Sequence, residues 1–223
     1  MYWNSSNSGI NNNDITKIEE AGFNSLESIA YTPKKNLILI KGLSEITVEK
    51  IIKVVFDIFK LSIRPCAIAL TERKKLTHIT SGSKDLDALL EGGFESNSIT
   101  ELFGEFRTGK TKICHTLCIT CQLPRRDGGG EGKVIYIDTE GTFRPEKLAP
   151  IAERFGLDPK EVIKNFFYAR AYNSDHPNKL LFQVCGLICE HKFSLLIVDS
   201  APALYKTDYS GRGELSNRKM ILA

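Results

Sequence analysis

Apolar residues at Ile46, Val48, Ile51, Ile52, Val55, Phe56 and Phe59 recur with a 3.6-residue period and predict an amphipathic helix. Ahead of it, residues 14–22 read as an N-capped short helix closed by a glycine, and 25–30 and 33–38 each allow another. Between them, Ile40-Lys41-Gly42-Leu43-Ser44 has the chemistry of a tight glycine turn, with Ser44 placed to cap the helix that follows. Residues 14–60 are therefore expected to form a small all-helical unit. Residues 1–13, rich in Asn, Ser and Gly, read as a disordered tail. Residues 61–75, with Pro65 and the run Glu72-Arg73-Lys74-Lys75, read as a linker.

From residue 76 onward the texture changes. Short apolar runs at 98–103, 134–138, 166–170 and 193–199 predict strands, and helical stretches at 110–122 and 179–190 alternate with them. That alternation predicts a mostly parallel sheet flanked by helices, an α/β core spanning 76–223. A further amphipathic stretch begins near Glu214 and continues to Ala223. No internal repeat is visible, which removes solenoid architectures.

The loop after the first strand carries chemistry. Gly104-Glu105-Phe106-Arg107-Thr108-Gly109-Lys110-Thr111 has two glycines with four residues between them, then Lys and Thr, at the mouth of a predicted helix. Glycines let backbone bend around a phosphate, and a helix N-terminus supplies the positive field. Lys110 would set a point charge on the outer phosphates, and the Thr111 hydroxyl would bind Mg²⁺. Two carboxylates stand at strand ends. Asp199 could support a metal through water, or cap the turn after its strand. Glu140, two residues past Asp138, could orient an attacking water at the carboxyl edge of the sheet, or be a plain loop acid.

Composition excludes more than it proposes. The chain has 223 residues, 42% hydrophobic and 26% charged, which rules out a chain disordered throughout, a collagen-like repeat and a disulfide-stapled miniprotein. No apolar run reaches the length of a membrane span, and the first residues lack the pattern of a secretory signal. The expectation is a soluble intracellular protein with no membrane partner. Thirty basic against 27 acidic residues give +3, a mild bias compatible with nucleic acid. Cys66, Cys114, Cys118, Cys121, Cys185 and Cys189 read as reduced thiols, small hydrophobes buried on helices rather than a zinc or redox site.

Several segments together resemble the eukaryotic RecA-family DNA strand-exchange recombinases: residues 99–111, Tyr136 to Pro145, Ala169-Arg170-Ala171-Tyr172-Asn173, Leu196 to Ser200, and Asp208 to Leu215. Gly141 and the loop 126–133 favour the mitotic over the meiotic branch. The resemblance implies a P-loop RecA-like ATPase core preceded by a helix-hairpin-helix domain. It implies ATP and Mg²⁺ as cofactors, with Gly104 to Thr111 and Asp199 at the nucleotide and Glu140 as the catalytic carboxylate. Tyr209, Gly211, Arg212 and Gly213 match the first DNA-binding loop, which by its residues alone reads equally as an ordinary turn. In the helical unit, Lys34, Lys35, Lys41 and Gly42 would meet duplex phosphates, or the lysines form a solvated helix face.

The partners implied are single- and double-stranded DNA, further copies of the chain in a filament or ring, and recombination mediator proteins, in the nucleus. Two departures from the family stand out. Ile63-Arg64-Pro65-Cys66 occupies the place of a Phe-x-x-Ala self-association segment, so Ile63 and Cys66 predict weaker self-assembly. The chain also stops where members of that family continue, so the core is expected to be incomplete at its C-terminus: a fragment, a premature stop or a wrongly delimited gene. The alternative function is a truncated non-enzymatic DNA- or recombinase-binding regulator, or an unstable pseudogene product.

Overall fold

The structure is a computed structural model that describes residues 10–23, 25–59, 65–208, 211, 213 and 216, with Glu27 and Cys189 described by backbone only. Backbone contacts divide the chain into two units, 1–71 with 185–190 and 72–184 with 191–223.

The first unit is helical: α1 (Asn12–Glu20), α2 (Leu26–Tyr31), α3 (Lys34–Ile38), α4 (Glu45–Phe59) and most of α5 (Cys66–Arg73). Side-chain caps explain where the helices start. The Asn11 carbonyl oxygen of the side chain accepts the Asn13 N–H at 3.2 Å, Ser25 Oγ accepts Ser28 N–H at 3.1 Å, and Ser44 Oγ accepts Thr47 N–H at 3.1 Å. Each such cap is worth about 1 kcal/mol. Val48, Ile51 and Val55 form the buried stripe of α4 and close on Ile15, Ile18, Ile29 and Leu37. Gly42 turns the chain before α4 with φ +83°, a conformation glycine adopts without strain.

Two boundaries differ from expectation. Ile10 is buried in this core and Asn11–Asn13 start α1, so the ordered unit begins before residue 14. A buried isoleucine and a capping asparagine outweigh the polar composition around them. The expected linker also contains α5, an eight-residue helix. Ile63 lies outside the described residues, and Cys66 stands exposed at the start of α5.

The second unit holds β1 (His78–Ile79), α6 (Lys84–Leu89), β2 (Phe94–Glu95), α7 (Lys110–Thr120), β3 (Lys133–Asp138), α8 (Leu148–Arg154), α9 (Pro159–Lys164), β4 (Phe166–Arg170), α10 (His176–Glu190, its end grouped with the first unit), β5 (Phe193–Asp199) and α11 (Ala203–Asp208). β1 and β2 pair antiparallel, a small ribbon the hydrophobic pattern did not reveal. The main sheet is parallel in the order β4-β3-β5, with Asp138 in register with Arg170 and with Asp199. β3 is central and buried on both faces. Val134 and Tyr136 join Leu117, Cys118, Ile119, Leu148 and Ala152 on one side, while Ile135 and Ile137 join Leu180 and Val184 on the other. This is the α/β layering the alternation predicted.

The loop before β3 is glycine-rich for a steric reason. A Cβ on Gly129 would overlap the Leu123 carbonyl, and one on Gly130 would press on Ser194. Among the described residues no helix is long and apolar enough to cross a membrane.

The expected strand at 98–103 is not a strand. Among the described residues nothing pairs with it, and β5 pairs only with β3. Ile99 and Phe103 consequently stand exposed. Apolar alternation selects which face a strand buries, but a strand exists only where a neighbour accepts its N–H and C=O groups.

Candidate nucleotide site

The 104–109 loop leads directly into α7. Gly109 is the N-cap residue with φ +98°, and having no side chain it leaves the helix start without a side-chain cap. The first-turn N–H groups of α7 therefore point outward without intrahelical acceptors, the arrangement that binds anions. Lys110 Nζ donates to the carbonyls of Gly104 at 2.8 Å and Glu105 at 2.7 Å, so its ammonium gathers the loop around itself. Thr108 Oγ donates to the Glu105 carbonyl at 2.9 Å and closes the same turn. Phe106 is exposed, with the Arg107 guanidinium 5.3 Å from its ring centre. The donor set is cationic, uncapped and open to solvent, which fits a nucleotide phosphate chain.

Asp199 ends β5, and its Oδ2 accepts the Tyr136 hydroxyl at 2.7 Å. Tyr136 is fully buried, and burial first, then the Asp199 carboxylate, push its hydroxyl pKa up, so it remains a donor. α7 packs on β5, and the Cys114 thiol senses the Asp199 charge. Thr111 stands one turn before Cys114 on the helix that packs on β5, and a hydroxyl with a carboxylate is a donor set suited to a hard divalent cation. Burial first and Asp199 second push the Cys114 thiol up to about 12. Iodoacetamide at pH 8 is expected to alkylate exposed Cys66 roughly a hundredfold faster than Cys114, read by peptide mass spectrometry. Equal rates would contradict the packing of α7. Burial also raises Cys118 and Cys121, whereas Cys66 and Cys185 are exposed, against the expectation that all six thiols are buried.

Glu140 is exposed at the carboxyl edge of β3, and its Oε1 accepts the Ser200 hydroxyl at 2.7 Å. Thr139 and Ser200 tie the ends of β3 and β5 together, with Ser200 N–H donating to Thr139 Oγ at 2.9 Å. The backbone under Glu140 is organised by Asp138, which is 1% exposed. Burial raises the pKa of Asp138, but hydrogen bonds from the Phe143 and Gly141 N–H groups and the Tyr168 hydroxyl outweigh that and hold the carboxyl below the usual range. The structure thus brings Glu140 and Asp199 to the ends of adjacent paired strands, with α7 beside them.

Sequence reasoning missed Tyr136, Asp138, His115 and Ser200. The period-2 pattern of β3 already puts Tyr136 and Asp138 on one face, a signal that could have found the first two. His115 had none. Its Nδ1 sits 2.6 Å from the Thr111 carbonyl and its ring stacks on Phe143 at 5.3 Å, while Nε2 is buried without a partner among the described residues. A carbonyl partner makes Nδ1 the protonated nitrogen.

The expected DNA contacts divide. Lys34 donates to Glu45 at 2.8 Å and Glu49 at 2.6 Å, so two carboxylates already answer its charge. Lys41 is exposed and makes no side-chain hydrogen bond or ion pair among the described residues. Lys17, not singled out by sequence, donates to the Gly42 carbonyl at 2.7 Å and fixes the hairpin. Tyr209 and Arg212 lie outside the described residues, while Gly213 has φ +100°.

Comparison with known proteins identifies the family. The Rad51 family model matches residues 72–223, and a SAM-like helix-hairpin-helix tandem model matches 5–55. The chain is 54% identical over 215 residues to "DNA repair protein RAD51 homolog 1" of Arabidopsis thaliana, covering 96% of this chain and 63% of that protein. It is 56% identical to "DNA repair protein rhp51" of Schizosaccharomyces pombe, covering 96% of this chain and 59% of the relative. It is 55% identical to "DNA repair protein RAD51" of Mycosarcoma maydis, covering 96% and 63%. The chain spans about three fifths of the length of these curated relatives. With a helix-hairpin-helix match ahead of a RecA-like α/β unit, the chain belongs to the Rad51 family.

Proposed function

We propose that the chain acts in homologous recombination and DNA double-strand break repair as an ATP-dependent recombinase that binds single- and double-stranded DNA. The observation that carries this reading is the pairing of β3 with β5, which sets Glu140 and Asp199 at adjacent strand ends, with α7, the helix that follows the 104–109 loop, packed on β5.

The residues divide the work. Lys110 and the N–H groups of the first turn of α7 would hold the phosphates of ATP. Thr111 and Asp199, the latter through water, would hold Mg²⁺, which supplies charge neutralisation on the phosphates when bound. Glu140 is placed to orient or deprotonate water, with Ser200 holding one carboxylate oxygen until substrate arrives. The reading carries with it assembly into a nucleoprotein filament, a nuclear location and loading by mediator proteins. Ile63 and Cys66 are expected to make the self-association weaker than a Phe-x-x-Ala segment would.

DNA-stimulated ATP turnover by the chain, with strand exchange between homologous oligonucleotides, tests the function. DNA binding with a steep salt slope and no turnover would leave a binding regulator instead. The hairpin has its own test. Lys41→Ala should weaken duplex binding about two- to tenfold and lower the salt slope by about one, whereas Lys34→Ala should change little. Fluorescence anisotropy across a salt series measures both, and equal effects would remove the role of the Lys34 ion pairs.

A further inference from the structure

We propose that Asp138 is the positioning residue for the Glu140 carboxylate. This rests on the reading of Glu140 as the group that handles water. Asp138 Oδ1 accepts the N–H groups of Glu140 at 3.0 Å, Gly141 at 2.6 Å and Thr142 at 3.3 Å. Its Oδ2 accepts Phe143 N–H at 3.2 Å and the Tyr168 hydroxyl at 3.1 Å. Five donors therefore converge on one buried carboxylate. That use of its lone pairs leaves Asp138 no free acceptor for a metal or a reacting water, whereas Glu140 two residues later is exposed.

Packing holds the loop from the other sides. The Phe143 ring lies 5.3 Å from His115, 4.9 Å from Tyr136, 5.0 Å from Phe166 and 4.9 Å from Tyr168, so it is clasped by four rings. Gly141 turns with φ +73°, and a Cβ there would run into the Arg170 guanidinium. Asp138 thus sets the backbone of Glu140, and Ser200 sets its carboxylate. A reacting group displaced by about 1 Å can lose about a hundredfold in rate. A buried carboxylate gathering the amides of the very residue it supports is a device for preventing that displacement.

Steady-state ATP turnover of the full chain with Mg²⁺ and single-stranded DNA tests the assignment. Asp138→Asn keeps the shape but turns an NH₂ group toward N–H donors. It is expected to lower kcat about 10- to 100-fold with the KM for ATP within about twofold of the parent. Tyr168→Phe, which removes one of the five donors and keeps the ring, should lower kcat no more than a few-fold. A rise in KM with kcat unchanged, or parental kinetics in Asp138→Asn beside an inactive Glu140→Gln, would overturn the inference alone. Parental turnover in Glu140→Gln would overturn the reading beneath it as well. Hydrogen exchange of the parent chain supplies a readout that needs neither turnover nor a variant. The amides of Gly141 and Phe143 should exchange at least about a hundredfold slower than exposed loop amides, and free exchange would overturn the proposal.

Discussion

Lys110→Ala is expected to raise the dissociation constant for ATP by two orders of magnitude or more, measured by isothermal titration calorimetry. The loss corresponds to about 2.7 kcal/mol, within the range of one or two hydrogen bonds to a charged group. In the structure the Lys110 ammonium is held by the carbonyls of Gly104 and Glu105, so it stands at the centre of the loop. Removing it takes away the point charge that the proposed function sets against phosphate, and the tie that keeps the loop gathered. The carbonyls it releases belong to exposed residues and can turn to water, so the melting temperature should move by no more than about 2 °C. Lys110→Arg should also lose most affinity, because a planar fork cannot reproduce a compact ammonium inside this turn. Retained affinity in Lys110→Ala would show that the 104–111 loop is not the nucleotide site.

Phe143→Ala is expected to cost the second unit about 3–5 kcal/mol, the usual consequence of deleting a buried aromatic ring. Phe143 is 8% exposed and touches the rings of His115, Tyr136, Phe166 and Tyr168. Its removal would open a cavity beside His115, whose Nε2 has no partner among the described residues, and free the backbone that Asp138 gathers. For a unit of this size the melting temperature should fall by about 6–20 °C in a thermal scan followed by circular dichroism. Phe143→Leu fills much of the volume and should cost less than half as much. A loss below about 1 kcal/mol in Phe143→Ala would mean that the aromatic cluster is not packed as described.

The two variants separate the two jobs of this sheet edge. Lys110→Ala should remove binding and leave the fold. Phe143→Ala should weaken the fold, and any loss of turnover it brings should follow from displacement of Glu140.

Much of this edge was legible in the sequence. The loop spacing located Lys110 and Thr111, and the apolar runs located β3, β4 and β5 with Glu140 and Asp199 at or just past strand ends. These features depend on residues close together in the chain, and short-range pattern records them. The starts of α2 and α4 were legible for the same reason, since a cap and the N–H groups it serves lie within three residues, whereas α1 starts at Asn12, before the expected residue 14. The expected tail failed at Ile10 because composition over a window does not register one buried side chain.

What depended on tertiary structure involves partners distant in sequence. Tyr136 meets Asp199 across 63 positions, Ser200 meets Glu140 across 60, and Lys34 is answered by Glu45 and Glu49 on another helix. None of these pairs has a local signature. The segment 98–103 makes the same point in reverse, for its short apolar run before a glycine loop reads locally as a strand. The amino-acid sequence by itself determined which residues carry charge, which glycines flank the 104–109 loop and where α2 and α4 begin. Only the tertiary structure decided which carboxylate is buried under five donors and which faces solvent, because hydrogen-bond saturation and burial are properties of a packed neighbourhood.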